Sequence, residues 1–386
     1  MKIGIVVPGF SASERDWCIP AHLNLVRRLS ERAEVHVFPL RYPHRRRSYR
    51  VHGASVHPQG GAQRRGWRRM PLLLRSLAAV RAEHRRGPFD VLHAICVDEP
   101  GFVAAADGLL LGVPSVLSLF GGELVGFPDI GYGGQLSRAN RWLARVGLQR
   151  ATRVTAGSGY LRRLAQPYVS PERLLSIPVG VDATRFHPRA GAVDPPPLAA
   201  GEIKLLHAAS LVPVKGQNVL LRALERVHER VPDVHLHVLG DGPLREELGG
   251  LSESLGVGGR VTFHGAVPYE EMPAYYRAAD LCVMASRHEG QELVTLEAGA
   301  CGRATVGTAV GVVPDLVPRS CVAPVGDHRA LAEVLVRVLQ APEVAVSLGR
   351  ASLEAVRAGY TLERTVDAFM RLYGELAEER GRRPPI

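Results

Sequence analysis

Glu289 and Glu297 are eight positions apart, and each carries a carboxylate that can accept hydrogen bonds or stabilise positive charge. The apolar run of residues 281–285 comes before them and predicts a buried strand, whereas apolar residues at helical spacing after residue 292 predict a helix. Glu289 should therefore lie in the loop between strand and helix, and Glu297 on the helix. Eight helical steps would separate the two carboxylates by roughly 12 Å along the axis, at about 1.5 Å per residue.

Two carboxylates that far apart cannot act on one proton, but they can hold hydroxyl groups at the two ends of one ligand. Between them lies the amino end of the predicted helix, where free N–H groups and the helix dipole favour an anion. A nucleotide sugar has this order of groups, with hydroxyls on its hexose, negative charge on its diphosphate and further hydroxyls on its ribose. The spacing therefore predicts a nucleotide-sugar site. The alternative is a strand–helix unit that carries two solvated glutamates.

Residues 286–302 as a whole resemble the signature of the retaining glycosyltransferases of family 4, which is a glutamate, seven residues and a second glutamate. The chain matches the wider context of that signature at Ser286, Glu289, Gly290, Leu293, Glu297, Ala298, Ala300, Cys301 and Gly302. The resemblance implies an α/β protein of the GT-B class, with two Rossmann-like parallel-sheet domains facing a central cleft. It also implies a metal-independent enzyme of carbohydrate or glycoconjugate biosynthesis. Such an enzyme moves a sugar from a nucleotide-diphosphate sugar to an acceptor with retention of anomeric configuration.

The resemblance further implies which residues hold the donor. It places Glu289 against the hexose, Glu297 against the ribose, and Lys215, within a segment similar to the family's G-R-L-x-x-x-K-G, against the diphosphate. Ser210 stands where the family usually has an arginine, and Glu292 where it commonly has a glycine. Glu289 and Lys215 are predicted to be catalytic. The full set of predicted donor residues is Gly9, Ser210, Lys215, Val267, Glu289, Gly290, Gln291, Glu292, Leu293, Val294 and Glu297.

Contacts to the acceptor are predicted in the N-terminal half. Family members usually have a histidine where Phe120 stands, and a phenylalanine can neither donate nor accept a hydrogen bond in its place. Glu123, Asp129 and Tyr132 lie in the loop that follows and are the other acceptor candidates, with ordinary loop residues as the alternative. The sequence leaves the acceptor unassigned among a glycan, a lipid and a small molecule.

The length of the chain and a stretch rich in Pro, Gly and Ala predict a division into two domains. Its 386 residues, 46% of them hydrophobic, are enough for two domains that each bury a core. Residues 1–190 are predicted to form the acceptor domain, which opens with a strand and the glycine loop at Gly9, as Rossmann-like units do. Residues 201–365 are predicted to form the nucleotide-sugar domain, after a linker rich in Pro, Gly and Ala. Residues 366–386 are predicted to be a helix that crosses back to the first domain, followed by a tail.

The net charge of +10 is unevenly distributed. Residues 1–200 hold 28 Lys and Arg against 14 Asp and Glu, whereas residues 201–386 hold 20 against 24. This basic half predicts an acidic partner, and a predicted basic amphipathic helix at residues 68–86 suggests peripheral contact with an anionic membrane. The alternative is a helix packed on the sheet with its arginines in water. Nucleic acid is excluded as a partner because no recognisable binding motif accompanies the charge.

Five scattered cysteines indicate reduced thiols, and no apolar run is long enough for a membrane span or a secretory signal. A cytoplasmic location is therefore predicted, either free or peripheral on the inner face of the membrane. The sequence contains neither an Asp-x-Asp pair nor a Cys/His cluster, so no metal and no cofactor are predicted, the nucleotide sugar being a co-substrate. Lys215 and helix amino ends must then neutralise the leaving diphosphate.

Two other functions stay open at this level. Sugar-nucleotide 2-epimerases share the two-domain architecture, although they would not be expected to carry the glutamate pair in this Ala-Cys-Gly context. A catalytically silent partner subunit that binds a nucleotide sugar is the other alternative. Phe120 and Ser210 keep it open, because each replaces a polar residue that the family usually has.

Overall fold

The computed structural model describes residues 1–61, 69–189, 198 and 203–381. The chain forms two compact units, of which unit 1 comprises Met1–Val179 with Leu362–Ile386 and unit 2 comprises Gly180–Thr361. The boundary between the units thus falls eleven residues before the predicted domain end at residue 190. The predicted linker, apart from residues 189 and 198, and tail residues 382–386 lie outside the described residues.

Unit 1 contains an eight-stranded sheet in the order β3-β4-β2-β1-β5-β6-β7-β8. Its strands are β1 (Lys2–Gly9), β2 (Glu34–Tyr42), β3 (Tyr49–Val51), β4 (Ala54–Val56), β5 (Val91–Ile95), β6 (Ser115–Ser118), β7 (Arg153–Ala156) and β8 (Leu174–Ser176). The helices between them are α1 (Pro20–Ser30), α2 (Met70–Arg86), α3 (Glu99–Leu111), α4 (Arg138–Arg150) and α5 (Gly159–Ala165). Neighbouring strands are parallel, except that β3 pairs antiparallel with β4.

Unit 2 contains a six-stranded, fully parallel sheet in the order β11-β10-β9-β12-β13-β14. Its strands are β9 (Ile203–Ala208), β10 (Val234–Leu239), β11 (Val261–Gly265), β12 (Leu281–Met284), β13 (Thr305–Thr308) and β14 (Val322–Ala323). Its helices are α6 (Gln217–Arg230), α7 (Arg245–Ser254), α8 (Met272–Ala278), α9 (Leu293–Ala300), α10 (Val313–Leu316), α11 (His328–Leu339) and α12 (Pro342–Gly359). The two parallel-sheet α/β units confirm the predicted fold class.

The central strands β1 and β12 contain continuous apolar runs, as strands of a parallel sheet do when helices cover both of its faces. Residues 3–7 of β1 and all of β12 are buried, and the sequence predicted this burial for β12. In unit 2 the chain passes from β9 to β10 on one side and returns later to β12 on the other, so the strand order reverses between β9 and β12. In unit 1 the same reversal falls between β1 and β5. Open α/β sheets bind their ligands beyond the carboxyl ends of the strands at such a reversal.

The last helix, α13 (Leu362–Gly381), belongs to unit 1. Its buried face joins the core formed by β1, β2 and β5, and it consists of Leu362, Thr365, Val366, Phe369, Leu372, Tyr373 and Leu376. The Tyr373 hydroxyl hydrogen-bonds Nδ1 of the buried His93 at 2.6 Å. The helix begins four residues before the predicted start at residue 366, and it completes the core of unit 1.

The basic segment before β5 differs in part from its prediction. The helix α2 forms as expected, with Leu72, Leu73 and Val80 buried in the unit 1 core. Residues 41–50, which are rich in arginine and were not predicted to form strands, contain the end of β2 and the start of the hairpin β3–β4. Strands of three residues are too short to give an alternating pattern that sequence analysis could detect. Among the helices of the described residues, none combines the length and the apolar character that crossing a bilayer would require.

Candidate active site

Two loops of unit 2 meet where the strand order reverses. Since β9 and β12 are neighbours, with Leu205 paired to Leu281, the loops that leave their carboxyl ends lie side by side. After β9 the chain forms the 3-10 turn Pro213–Lys215, and after β12 residues 285–292 lead into α9. The N–H of Arg287 donates to the carbonyl of Val214 at 2.8 Å, so the backbone itself joins the two loops.

Gly216 sets how closely these loops approach. Its φ of +66° lies in the left-handed region, and a Cβ at this position would stand 2.2 Å from the carbonyl oxygen of Ala285. Only glycine fits that contact without moving backbone. Lys215, the residue before Gly216, is thereby held against the end of β12. Helix α6 starts immediately after Gly216.

Lys215 and Glu289, the two residues predicted to be catalytic, form an ion pair. Nζ of Lys215 lies 2.7 Å from Oε1 of Glu289, and the Ser286 hydroxyl donates to the same oxygen at 2.6 Å. Their side chains are 23% and 9% exposed, respectively, so the lysine reaches solvent more than the carboxylate does. The carbonyl of Ser286 in turn accepts from the Thr308 hydroxyl at 2.6 Å, which ties this loop to the end of β13. The arrangement presents one fixed ammonium group at the position where a fold of this kind binds an anion.

Glu292 is a second buried carboxyl group beside that pair. It directly precedes α9, and both of its oxygens lie 3.2 Å from the N–H of Val312. A Cβ on Gly311 would fall 1.8 Å from Oε2 of Glu292, so the glycine makes room for the carboxyl group. Burial, and then the charge of Glu289, raise the pKa of Glu292 to about 8. Burial therefore favours the neutral carboxylic acid form of Glu292, a property that its position in the sequence did not indicate.

Glu297 lies on α9, as predicted, and its side chain is buried. The Tyr276 hydroxyl, from α8, donates to Oε2 of Glu297 at 2.9 Å. Burial raises the pKa of Glu297 to about 7, against the opposing effect of hydrogen bonds from Tyr276 and Tyr269. The placement of Glu289 in a loop and Glu297 on a helix is thus confirmed, and the ribose contact of Glu297 stays a prediction.

The other predicted donor residues fall into two places. In unit 2, Ser210 is exposed just after β9, and Val267 is half-buried after β11. The remaining residues surround the start of α9: Gly290, Gln291, Leu293 and Val294. Gly9 lies instead in unit 1, at the end of β1.

The predicted acceptor residues all lie in unit 1, around the loop after β6. Oε1 of Glu123 accepts from the N–H of Phe120 at 3.1 Å, and Oε2 accepts from the N–H of Gly121 at 2.7 Å. Its buried carboxylate therefore shapes this loop from within. Tyr132 packs its ring against Gly122, where an added Cβ would stand 2.7 Å from it, and Asp129 is exposed on the turn Pro128–Ile130.

Two residues near this loop were missed by the sequence analysis. The buried His22 lies with its ring centroid 4.8 Å from that of Phe120, and burial lowers the pKa of the imidazole to about 4. Asp98 follows β5, and burial together with the charge of Glu123 raises its pKa to about 7. A polar residue directly after a strand at the reversal point was a signal that could have identified Asp98.

Both halves of the chain match families of known proteins. Residues 22–185 match the family described as Glycosyltransferase Family 4, and residues 202–341 match the family described as Glycosyl transferases group 1. The chain is 31% identical over 286 residues to a GDP-mannose-dependent alpha-(1-6)-phosphatidylinositol monomannoside mannosyltransferase of Mycobacterium tuberculosis. That match covers 68% of this chain and 71% of the relative.

A second relative is the D-inositol 3-phosphate glycosyltransferase of Segniliparus rotundus, 32% identical over 255 residues. The match covers 63% of this chain and about half, 54%, of that protein. Among solved structures, sucrose-phosphate synthase from Thermosynechococcus elongatus superposes with a TM-score of 0.79 at 22% identity, over 98% of this chain and 99% of that one. The similarity to that structure concerns the fold alone. Family matches in both halves and a relative covered over more than two thirds of its length show that the chain belongs to glycosyltransferase family 4.

Proposed function

We propose that this glycosyltransferase transfers a hexose from a nucleotide-diphosphate sugar with retention of anomeric configuration, without a metal ion at the reacting centre. The observation that carries the proposal is the Lys215–Glu289 pair at the strand reversal of unit 2, with 2.7 Å between Nζ and Oε1. An ammonium group held there supplies the positive charge that a departing diphosphate requires. The relatives named above are transferases, which does not favour an epimerase or a silent subunit.

Lys215 would act on the phosphate, and Glu289 would act on the sugar. An ammonium group has three N–H donors, and Glu289 uses one of them, so the others are available for phosphate oxygens. Glu289 in turn would accept from hexose hydroxyls and stabilise the positive charge that grows at the anomeric carbon. The Ser286 hydroxyl, bound to the same carboxylate oxygen, fixes its direction.

The transfer step balances without a further reactant. The bond between the anomeric carbon and the phosphate oxygen breaks, and the acceptor oxygen forms its bond on the same face of the sugar. The acceptor hydroxyl proton passes to the departing phosphate. In this mechanism the rate comes from orientation and from charge stabilisation of the leaving group, rather than from a covalent intermediate.

For the acceptor we propose an inositol phosphate group, either free or as the headgroup of a lipid. Both relatives named above are described by inositol-containing compounds, and these carry phosphate. The excess of 28 basic over 14 acidic residues in residues 1–200 suits an anionic acceptor. If the acceptor is the lipid, the enzyme would work from the cytoplasm as a peripheral protein on the inner face of the membrane.

The proposal is tested by incubating the protein with GDP-mannose or UDP-glucose, and with inositol phosphate or phosphatidylinositol vesicles as acceptor. Proton NMR of the product should show the anomeric configuration of the donor. An inverted product would refute the retaining mechanism, and epimerised donor without transfer would support the epimerase alternative. Transfer only to uncharged glycans would refute the proposed acceptor.

Glu289→Gln separates the roles at the site, because it keeps the shape and removes the charge. Turnover should fall by about two orders of magnitude, which corresponds to about 2.7 kcal/mol. Glu246→Gln, at an exposed glutamate of α7, is the matched control and should behave like the parent. Full activity in the double variant Glu289→Gln, Glu292→Gln would place the reaction elsewhere.

A further inference from the structure

Three side chains of unit 1 form a compact group that the proposed transfer does not use. His36 lies on β2, His57 follows β4, and Glu83 lies on α2. One ligand atom from each lies within 4.8 Å of the others. Nδ1 of His36 is 3.0 Å from Nε2 of His57 and 3.7 Å from Oε1 of Glu83.

We propose that this group binds a divalent transition-metal ion of the zinc class. Two imidazole nitrogens and one carboxylate oxygen are ligands that zinc and its neighbours in the first row prefer. A tetrahedral ion with bonds of about 2.0–2.1 Å holds its ligand atoms roughly 3.3 Å apart. Two of the three separations, 3.0 Å and 3.7 Å, lie on either side of that value, and the third is at most 4.8 Å, so side-chain adjustments complete three corners. A water molecule would take the fourth.

Both histidines already have the outer hydrogen bonds that orient metal ligands. Nε2 of His36 lies 2.8 Å from Oε1 of Glu34, a carboxylate that can only accept from it. Nε2 therefore carries the proton, and the lone pair of Nδ1 faces the group. Nδ1 of His57 lies 3.3 Å from the Ser48 hydroxyl, which can accept from it once Nε2 is bound to the ion. Such partners raise metal affinity by about 10–100-fold.

Two cations compete with the ion for Glu83. Nζ of Lys2 lies 3.1 Å from Oε1, and Nη1 of Arg86 lies 3.0 Å from Oε2. Lys2 also donates to the carbonyl oxygens of Glu83 and Gly87, at 3.4 Å and 3.0 Å, and these bonds remain when the ion takes Oε1. Lys2 therefore holds the place of the ion in the metal-free protein, and removing its charge should strengthen metal binding.

The location indicates a stabilising role. His36 is near the amino end of β2, and Glu83 is in the last turn of α2, at the edge of the sheet opposite to the carboxyl ends of the strands. An ion bound here would join β2, the chain after β4 and α2, and it would act independently of the Lys215–Glu289 pair in unit 2. No local sequence pattern indicates the site, because its ligands are 21 and 26 positions apart along the chain.

The test is calorimetric titration of zinc into full-length protein that has been stripped with chelator and carries no affinity tag. The parent should bind one ion at this site, and His36→Asn, His57→Asn and Glu83→Gln should each weaken that binding at least about tenfold. Lys2→Met should strengthen it. The control is His264→Asn, since His264 lies 3.1 Å from His237 in a separate histidine group of unit 2, and its loss should leave this binding unchanged.

Thermal unfolding gives an independent readout, because an ion that binds only the folded state raises the melting temperature, and the rise grows with the logarithm of its affinity. Zinc should raise the melting temperature of the parent and of His264→Asn, but not that of His57→Asn. Circular dichroism spectra at 25 °C would show that the variants are folded. Equal zinc affinity in the parent and in the double variant His36→Asn, His57→Asn would overturn the proposal, as would weaker binding in Lys2→Met.

Discussion

Replacing Lys215 by methionine should slow transfer strongly while leaving the protein folded. Methionine keeps most of the apolar stem of lysine and removes only the ammonium group. Two unit charges about 4 Å apart interact by about 4 kcal/mol at the effective dielectric constant near a protein surface. Lys215 is 23% exposed, so solvent screens part of this interaction with a departing phosphate. The loss of one such preorganised charge typically costs about 2.7–4 kcal/mol of activation free energy, and kcat should therefore fall by about 10²–10³.

The same substitution also removes the partner of Glu289, and this effect must be separated from catalysis. With Lys215 gone, Oε1 of Glu289 keeps the hydrogen bond from the Ser286 hydroxyl but loses its cationic partner. An undercompensated, largely buried carboxylate costs about 1–3 kcal/mol of folding free energy. The double variant Lys215→Met, Glu289→Gln should recover much of this stability, because both charges are then removed, but it should recover none of the turnover.

Initial rates at saturating donor would measure the loss of turnover. Calorimetric melting of each variant would measure the loss of folding stability. Lys204→Met is the matched control, since it removes a lysine charge at the amino end of β9 in the same unit. Its turnover should remain within about twofold of the parent, or about 0.4 kcal/mol. Turnover in Lys215→Met within threefold of the parent would show that the ammonium group has no part in the departure of the phosphate.

Three further predictions concern the nucleotide, metal removal and pH. Glu297→Ala should weaken binding of the nucleoside diphosphate in a calorimetric titration, and unchanged affinity would exclude the ribose contact. Adding EDTA at 25 °C should leave the initial rate of transfer unchanged, whereas a loss restored by magnesium or manganese would reveal a catalytic cation. The pKa of Glu292 is raised to about 8 and that of Glu297 to about 7. In the folded chain these carboxyl groups therefore keep their protons at pH values where the unfolded chain, with the ordinary glutamate pKa of 4.5, has lost them. Folding stability should therefore decline as pH rises between about 5 and 8. Glu292→Gln should flatten this decline in melting temperature, and an unchanged slope would show that Glu292 is ionised in the folded protein.

Features determined by neighbouring residues were predictable from the sequence. The apolar run before residue 286 and the helical spacing after residue 292 predicted β12 and α9 with their order. Gly302, with a φ of +77°, follows α9 as a glycine at a helix end should. These patterns depend only on residues within one or two turns of each other, and such signals are visible in a single chain.

Features that depend on topology or burial were not predictable. Lys215 and Glu289 are 74 positions apart, and only the adjacency of β9 and β12 brings them into contact. The raised pKa of Glu292 depends on how deeply the loop before α9 is covered. Glu123 was predicted to contact the acceptor because it is polar and lies in a loop. The structure shows that its carboxylate oxygens already bind the backbone N–H groups of Phe120 and Gly121.

The return of α13 to unit 1 determines the order in which the units can be completed during synthesis. Unit 2 is one uninterrupted segment, whereas unit 1 waits for residues after Leu362. At about 5–20 residues per second, a ribosome needs roughly 10–40 s to add the intervening segment. During that time the nascent N-terminal unit exposes the apolar residues that Phe369 and Tyr373 later cover, among them Ile5. The younger unit can therefore complete its core before the older one, whose apolar surface stays uncovered until α13 has been made.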